Sequence, residues 1–308
     1  MSKIFITGGM GFIGSHVVEE LTALGHTVTV YDNLHTGKKE NLSNIPYLFI
    51  KGDVRDYNLL ANVMQDQEIV FHLAALTSVA ESMDNIEEYI AVNQGGTLNV
   101  LKAAKENEVK KVIFASSAAV YGETPDLPKT EKMSLNPKST YAITKVDGEC
   151  FCKLYNDSFG LPTVSARFFN VFGERQDPKS SYASAIPLFI SKCIKNNPIS
   201  VYGDGTQTRD FIYVKDLVRA LILLMGKGVG VFNIGYGKAL DINTLVRFIK
   251  SKLNSSSEIH YVTERPGEVK YSFSSIDKLR SIGFIPDFSL EKGLENTIEY
   301  YDRLNSKK

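Results

Sequence analysis

The chain has 308 residues, 43% of them hydrophobic, which is enough for one large core or two joined lobes. Its 35 Lys and Arg balance its 35 Asp and Glu, and that zero net charge argues against a nucleic-acid-binding surface or a basic membrane-surface patch. No apolar run reaches the ~18 residues of a membrane span, and three cysteines in no zinc-binding spacing fit a reducing, cytoplasmic setting.

The first element starts almost at once, so no secretory signal is expected ahead of it. Ile4, Phe5 and Ile6 read as a short strand. Gly8, Gly9, Gly11 and Gly14 follow, then a helix with Val17, Val18, Leu21 and Leu24 at helical spacing, ended by Gly25. Strand, glycine turn and helix make a dinucleotide site, because missing side chains let the backbone approach a pyrophosphate at a helix N-terminus. Gly8, Gly11 and Gly14 fit one register of that motif; Gly9, Gly11 and Gly14 fit the other. The next strand, Thr27 to Tyr31, ends in Asp32, about 20 positions past the glycines, where an acid accepts from the adenosine ribose and repels a 2′-phosphate. NAD is therefore expected rather than NADP.

Apolar runs at Phe49-Ile50, Ile69-Val70-Phe71, Val112-Ile113-Phe114 and Val164-Ser165-Ala166 alternate with helical segments near 57–66, 94–107 and 140–158. The alternation predicts an α/β fold with a doubly wound parallel sheet, whose functional groups gather at the C-terminal strand ends. Asp53, His72 to Ser78 and Ser116-Ser117 fall there. His72 ends an apolar strand and is expected to be a packed histidine rather than a base. Tyr141 and Lys145, four residues apart, share one helix face. The ammonium is expected to lower the phenol from its usual ~10, so that it can take a proton from a sugar hydroxyl. Past residue 170 the alternation loosens, with turns at Gly203-Asp204-Gly205 and Pro266-Gly267. The expected organisation is a dinucleotide-binding domain of residues 1–170 plus 210–236, with Val231 to Ile234 as a returning strand. A smaller C-terminal substrate-binding lobe takes 171–209 plus 237–308. Arg209 and Arg265, each in a glycine- or proline-turned segment, suit a diphosphate.

The elements Thr7 to Gly14, Asp32-Asn33-Leu34, Asp53-Val54, His72-Leu73-Ala74-Ala75, Asn93, Ser116 to Gly122, Tyr141 with Lys145, Arg167 to Val171, Arg209-Asp210-Phe211 and Arg265 to Glu268 run nearly end to end. On them the chain resembles the extended short-chain dehydrogenase/reductases, and within these the NAD-dependent nucleotide-sugar 4-epimerases. The resemblance implies a Rossmann sheet, bound NAD, a UDP-sugar substrate and a catalytic set of Tyr141, Ser117 and Lys145. It places Gly8, Gly11 and Gly14 at the pyrophosphate, with Phe12 and Ile13 in the same turn, and Asp32 at the adenosine ribose beside Asn33. Asp53 and Val54 would line the adenine, Asp53 accepting from its amino group. Leu73, Ala74 and Ala75 would pack along the cofactor with Asn93 near it. Lys145 would bind the nicotinamide ribose, and Phe168 and Phe169 would flank the nicotinamide. The substrate would meet Ser78, Ser117, Tyr141, Asn170, Ala185, Val201, Tyr202, Arg209, Arg265, Glu268 and Ser272.

Departures from the family pattern refine these expectations. Thr77 stands where many galactose epimerases have a lysine that contacts the cofactor. Ala118 and Ala119 stand where 4,6-dehydratases have an Asp-Glu pair, and nucleotide-sugar decarboxylases usually have a glutamate at the position of Ala118. What remains is oxidation at C4, rotation of the ketosugar and re-reduction. The rival readings are a UDP-uronate or UDP-xylose epimerase, a 4-ketosugar reductase or a non-catalytic regulator. Asp32 counts against the commonly NADPH-dependent reductases, and the intact catalytic set counts against a regulator. Ser272, small where some relatives have tyrosine, implies room for an N-acetyl group; a slip of one residue would put Tyr271 there instead. Relatives form homodimers through the helix near 94–107 and the helix carrying Tyr141. Leu98, Val100 and Leu101 on one, and Phe151, Leu154 and Tyr155 on the other, would supply apolar surface.

Overall fold

Ile4, Phe5 and Ile6 are fully buried, as the centre of a parallel sheet covered on both faces requires. The computed structural model describes residues 1–178, 184–264 and 269–306. Its main sheet has seven strands. Six are β1 (Lys3–Thr7), β2 (Thr27–Asp32), β3 (Leu48–Lys51), β4 (Ile69–His72), β5 (Lys111–Ser117) and β6 (Thr163–Phe168), and the seventh is Gly230–Ile234. The order is β3-β2-β1-β4-β5-β6, with Gly230–Ile234 on the β6 edge. Pairing is parallel from β3 through to β6. The order reverses between β1 and β4, so the C-terminal ends of these strands form the switch point of a doubly wound sheet.

By contact, the chain divides into two compact units. One contains Met1–Gly122, Ser134–Phe168 and Val218–Asn233; the other contains Glu123–Met133, Phe169–Leu217 and Ile234–Lys308. This places 123–133, 169–170, 210–217 and 234–236 in the second unit rather than the first, for visible reasons in the main stretches. Asp210 is fully buried and accepts from the amides of Tyr236 (2.7 Å), Gly237 (3.1 Å) and Ser274 (3.0 Å) and from the Ser274 hydroxyl (2.6 Å), which ties 210 and 234–237 into the second unit. The 123–133 segment joins the same unit because the Lys129 amide donates to the Phe273 carbonyl and its carbonyl accepts from the Ser275 amide, both at 2.9 Å. Short parallel pairs, Asn170–Phe172 with Phe211–Tyr213 and Ile199–Tyr202 with Ile259–Val262, complete this unit along with Thr208–Arg209 antiparallel to Leu240–Asp241.

Two helices of the first unit matter most for the site. The Thr140–Phe159 helix is capped by Ser139, whose hydroxyl accepts from the Ala142 amide, and ends at Gly160 in the left-handed region. The Gly96–Glu106 helix is entered through a π-helical turn, Ile90–Gly95. Val100 and Leu101 face the core, at 0% and 1% exposure, so they cannot supply the contact surface expected of them. Phe151 and Tyr155 also pack against that core, which leaves Leu98 and Leu154 exposed. Among the described residues no helix is long and apolar enough to cross a membrane, and no group of three or more His, Cys, Asp or Glu is placed to hold a metal.

Candidate active site

The glycine turn joins β1 to the Phe12–Ala23 helix. Gly8 has φ +72°, and a Cβ there would lie 2.7 Å from the Ala74 nitrogen. A Cβ on Gly14 would lie 2.1 Å from the Gly8 carbonyl oxygen, so these two glycines are demanded by the protein's own packing. Gly9 is held against β2, its Cβ position being 2.8 Å from a Val30 methyl. Gly11 differs. It is the helix N-cap in extended conformation with no side-chain cap, and its Cβ would meet the Gly8 oxygen at 3.3 Å and nothing else within 4 Å. The protein leaves space above a helix N-terminus at that point, and a pyrophosphate fits there. Phe12 and Ile13 are half-buried beside it.

Asp32 is buried at the end of β2. Its carboxylate accepts from the amides of Met10 (2.9 Å) and Leu34 (2.8 Å), which fixes it beside the turn. Burial raises its pKa, and those two bonds offset part of the rise. Each oxygen keeps a second acceptor position, as a ribose diol needs. Asp53 is already engaged within the protein. Oδ1 accepts from the Arg55 amide (3.0 Å) and Arg55 Nε (2.8 Å), and Oδ2 accepts from Asn33 (3.0 Å) and Arg55 Nη2 (2.8 Å). All four acceptor positions are occupied, and the Arg55 guanidinium holds the carboxyl well below the usual range. A bond to an adenine amino group would have to displace one of these. Val54 is buried and packs on Gly96.

Beyond β4, Leu73, Ala74 and Ala75 form a half-buried loop tied to β1, the Leu73 amide donating to the Thr7 carbonyl (3.1 Å) and the Ala74 amide to the Thr7 hydroxyl (3.2 Å). His72 lies between the hydroxyls of Thr7 (2.8 Å) and Thr97 (3.0 Å). Thr97 donates to the Asn93 carbonyl, so it accepts from His72 Nε2–H and Nδ1 accepts from Thr7. Burial, and secondarily Lys145, pushes the imidazole down to about 3, which makes it the packed, neutral histidine expected. Both amide hydrogens of Asn93 are in use, on the Leu76 carbonyl (2.9 Å) and the Thr144 hydroxyl (3.2 Å), while its oxygen accepts from the Leu76 amide (2.8 Å). Asn93 thus braces the loop after β4 against the Tyr141 helix. The Ser78 hydroxyl caps the turn at Glu81; Thr77 is exposed.

The three expected catalytic groups come together in the first unit. Ser117 ends β5, where its hydroxyl accepts from the Ala119 amide at 3.2 Å and its proximity favours the ionised form of the Tyr141 phenol. Lys145 is 4% exposed, with Nζ donating to the Ala115 carbonyl at 2.7 Å and lying 5.7 Å from the Tyr141 ring centroid. The expectation of a lowered phenol is reversed. Burial raises the Tyr141 pKa, and Ser117 offsets only part of it. The neighbouring ammonium does not offset this rise; burial pulls Lys145 itself down to about 8, which Cys152 and Glu149 oppose. The sequence reading missed a buried network behind these groups. Glu149 accepts from Ser116 and from Arg167, and Arg167 also donates to the Tyr121 hydroxyl. The signal was available, since Glu149 stands four residues beyond Lys145 as Lys145 does beyond Tyr141. Ala118 and Ala119 lie in the Ala118–Tyr121 turn and offer no acid or base. Phe168, half-buried, ends β6.

The remaining positions belong to the second unit. Asn170 is exposed, its amide held by the Asp210 carbonyl at 3.0 Å. Phe169 is buried, its amide donating to the Ile234 carbonyl at 3.0 Å. Ala185 opens the Ala185–Ile194 helix, whose N-cap Ser184 makes no side-chain capping bond. Along one strand Val201 points into the core at 1% exposure while Tyr202 is half-buried. Arg209 Nη1 donates to the carbonyls of Thr208 (2.9 Å) and Lys270 (3.3 Å). The Ser272 amide donates to the Thr208 carbonyl at 3.2 Å. Ser272 is 7% exposed and Tyr271 48%, so Ser272 is the inward-facing residue of the two. Arg265 and Glu268 lie outside the described residues.

These features have counterparts among known proteins. A UDP-N-acetylglucosamine 4-epimerase from Methanobrevibacter ruminantium M1, solved with UDP-N-acetylmuramic acid, is 42% identical with a TM-score of 0.95, over 98% of this chain and 99% of that one. A UDP-glucose 4-epimerase from Thermotoga maritima, solved with UDP-glucose, is 36% identical with a TM-score of 0.95 over the same shares. A UDP-N-acetyl-alpha-D-glucosaminuronate decarboxylase of Bacillus cytotoxicus is 37% identical over 99% of both chains. The model of the NAD-dependent epimerase/dehydratase family matches residues 4–235. With the glycine turn, Asp32 and the Ser117, Tyr141 and Lys145 cluster on one doubly wound sheet, the chain belongs to the NAD-dependent epimerase/dehydratase family, in its extended short-chain dehydrogenase/reductase form.

Proposed function

We propose that the protein is an NAD-dependent 4-epimerase of UDP-hexoses. The observation that carries this is a complete Ser117, Tyr141 and Lys145 set followed by Ala118 and Ala119. Elimination of water across C5 and C6 needs a further acid and base, and decarboxylases usually have a glutamate at Ala118, so epimerisation is the chemistry the remaining groups can perform unaided. The alanines weigh against carrying over the activity named for the Bacillus cytotoxicus relative; the two crystallised epimerases support the reading.

When bound, NAD supplies a hydride acceptor and donor at C4 and brings a positive ring charge. Gly11 and Asp32 would hold its pyrophosphate and adenosine ribose, and Lys145 the nicotinamide ribose. Tyr141 takes the proton of the C4 hydroxyl and returns it after the ketosugar has turned over. Ser117 donates to the C4 oxygen as it becomes a ketone. Net redox is zero, so the cofactor is not consumed.

In this reading both UDP-glucose and UDP-N-acetylglucosamine are substrates. Ser272, small and inward-facing, leaves room for an N-acetyl group, and a close relative crystallised with an N-acetyl sugar nucleotide supports this. The protein as purified should convert both sugars to their C4 epimers with no added cofactor, and release NAD on acid extraction. Tyr141→Phe should lower kcat by about 10²–10⁴-fold, the usual general acid–base contribution. NADP in the extract, or a need for stoichiometric reduced cofactor, would sink the reading. Turnover of UDP-glucuronate or UDP-xylose alone would move the substrate but keep the reaction.

A further inference from the structure

Tyr141, Lys145 and Glu149 recur every four residues on the Thr140–Phe159 helix and so occupy one face. Three consecutive residues of β5 receive them. Lys145 donates to the Ala115 carbonyl at 2.7 Å, Glu149 accepts from the Ser116 hydroxyl, and Ser117 acts on the Tyr141 phenol. Glu149 is gripped a second time from β6, where Arg167 Nε meets Oε1 at 2.8 Å and Nη2 meets Oε2 at 2.6 Å. The strand register sets Ser116 directly opposite Arg167. Arg167 in turn donates to the Tyr121 hydroxyl at 2.8 Å, and that hydroxyl donates to Asn233 at 2.6 Å. Ser116, Glu149, Arg167 and Asn233 are all 7% exposed or less.

A buried ion pair is poor evidence of stability, because the desolvation of two charges offsets much of their attraction. Its placement gives this one a different use. We propose that Glu149 is a positioning residue for the reaction, acting through Lys145: clamped by Arg167 and Ser116, its carboxylate keeps Lys145 a charged ammonium aimed at the end of β5.

The groups facing Lys145 leave no other source of negative charge among the described residues named here. From β4, His72 is neutral. From the same helix, burial pushes the Cys152 thiol up to about 12, so it is also neutral. Arg167, from β6, is positive and paired with Glu149. Burial drives Lys145 toward its neutral form; Cys152 and Glu149 are the groups that oppose it, and of the two only Glu149 carries a negative charge. A neutral Lys145 would keep its hydrogen bond to Ala115 and lose the charge that favours a Tyr141 phenolate.

The proposal rests on the epimerase reading only for its kinetic readout. The other readout is the titration of Lys145, followed by NMR on protein carrying ¹³Cε-labelled lysine, its signal identified by absence in Lys145→Met. Glu149→Gln should lower the Lys145 pKa by about one unit. It should move the alkaline limb of kcat down equally, costing roughly fivefold at pH 8 for a group that titrates there, with KM little changed. Glu149→Asp, which keeps the charge, should restore the limb. If Glu149→Gln leaves Arg167 unpaired and does not fold, Glu149→Met with Arg167→Met removes both charges and should still lower the Lys145 pKa. A folded variant in which Tm falls while Lys145 titrates as in the parent overturns the proposal. A shifted titration in a protein that epimerises nothing would uphold it and discard the epimerase reading.

Discussion

His72 is held between two threonine hydroxyls with its ring neutral, and this gives the fold an acid sensitivity that follows from one residue. The folded-state value, about 3, lies below the unfolded value of about 6.5. Between them the unfolded chain binds a proton that the folded chain does not, so stability falls as pH drops from 6.5 toward 3. The full shift is worth on the order of 5 kcal/mol. His72→Asn should cost stability at pH 7, because the Thr97 bond is lost, yet flatten the dependence of Tm on pH between about 6.5 and 4. A variant as acid-sensitive as the parent would put the sensitivity elsewhere. Tyr141 teaches a related point. Residue spacing revealed the ammonium beside it, but burial, which spacing does not report, decides the sign of its shift.

At the scale of the element, the strand–turn–helix at the N-terminus separates glycines needed by the fold from one left open for a ligand. Gly14→Ala drives a methyl into a backbone carbonyl that cannot move, and should destabilise the NAD-stripped protein by about 1–3 kcal/mol or more. Gly11→Ser puts a good capping residue at the helix N-cap and should leave that Tm unchanged or slightly raised. It should nevertheless weaken NAD binding at least tenfold, because the new side chain fills the open space. Thermal unfolding with calorimetric titration reads both, and equal loss of Tm in the two variants would remove the distinction. The main elements were legible because their signals are local: continuous apolar runs for β4, β5 and β6, and helical spacing from Val17 to Leu24 closed by Gly25. The π-helical turn, the Asn93 brace and the saturation of Asp53 by Arg55 and Asn33 were not. Each depends on which side chain meets which across tens of residues, and no periodicity carries that. The Asp210 hub was hidden in the same way, its partners lying at 236, 237 and 274.

For the whole molecule, we expect a homodimer. Leu98 on the Gly96–Glu106 helix and Ile143, Leu154 and Phe159 on the Tyr141 helix are each more than 40% exposed, and these two helices pack together in one unit. Light scattering should give twice the 34.2 kDa chain mass at micromolar concentration, and Leu98→Glu with Leu154→Glu should halve it. A parent protein that remains a monomer would refute the expectation. The alternation of the two units along the chain also bears on how the protein is made. Six successive stretches belong to the units in turn, so neither can be synthesised as one continuous piece. The strand that closes the β6 edge, Gly230–Ile234, leaves the ribosome about 60 residues after β6, a delay of several seconds at roughly 5–20 residues per second. Throughout that interval the nascent chain carries a nearly finished sheet in which β6, a central strand of the final fold, is an unpaired edge ready to pair with any other strand in reach. The exposure of β6 ends only once Gly230–Ile234 has emerged and taken over the edge, which makes the span from Phe169 to Ile234 the stretch of synthesis in which a chaperone is most useful.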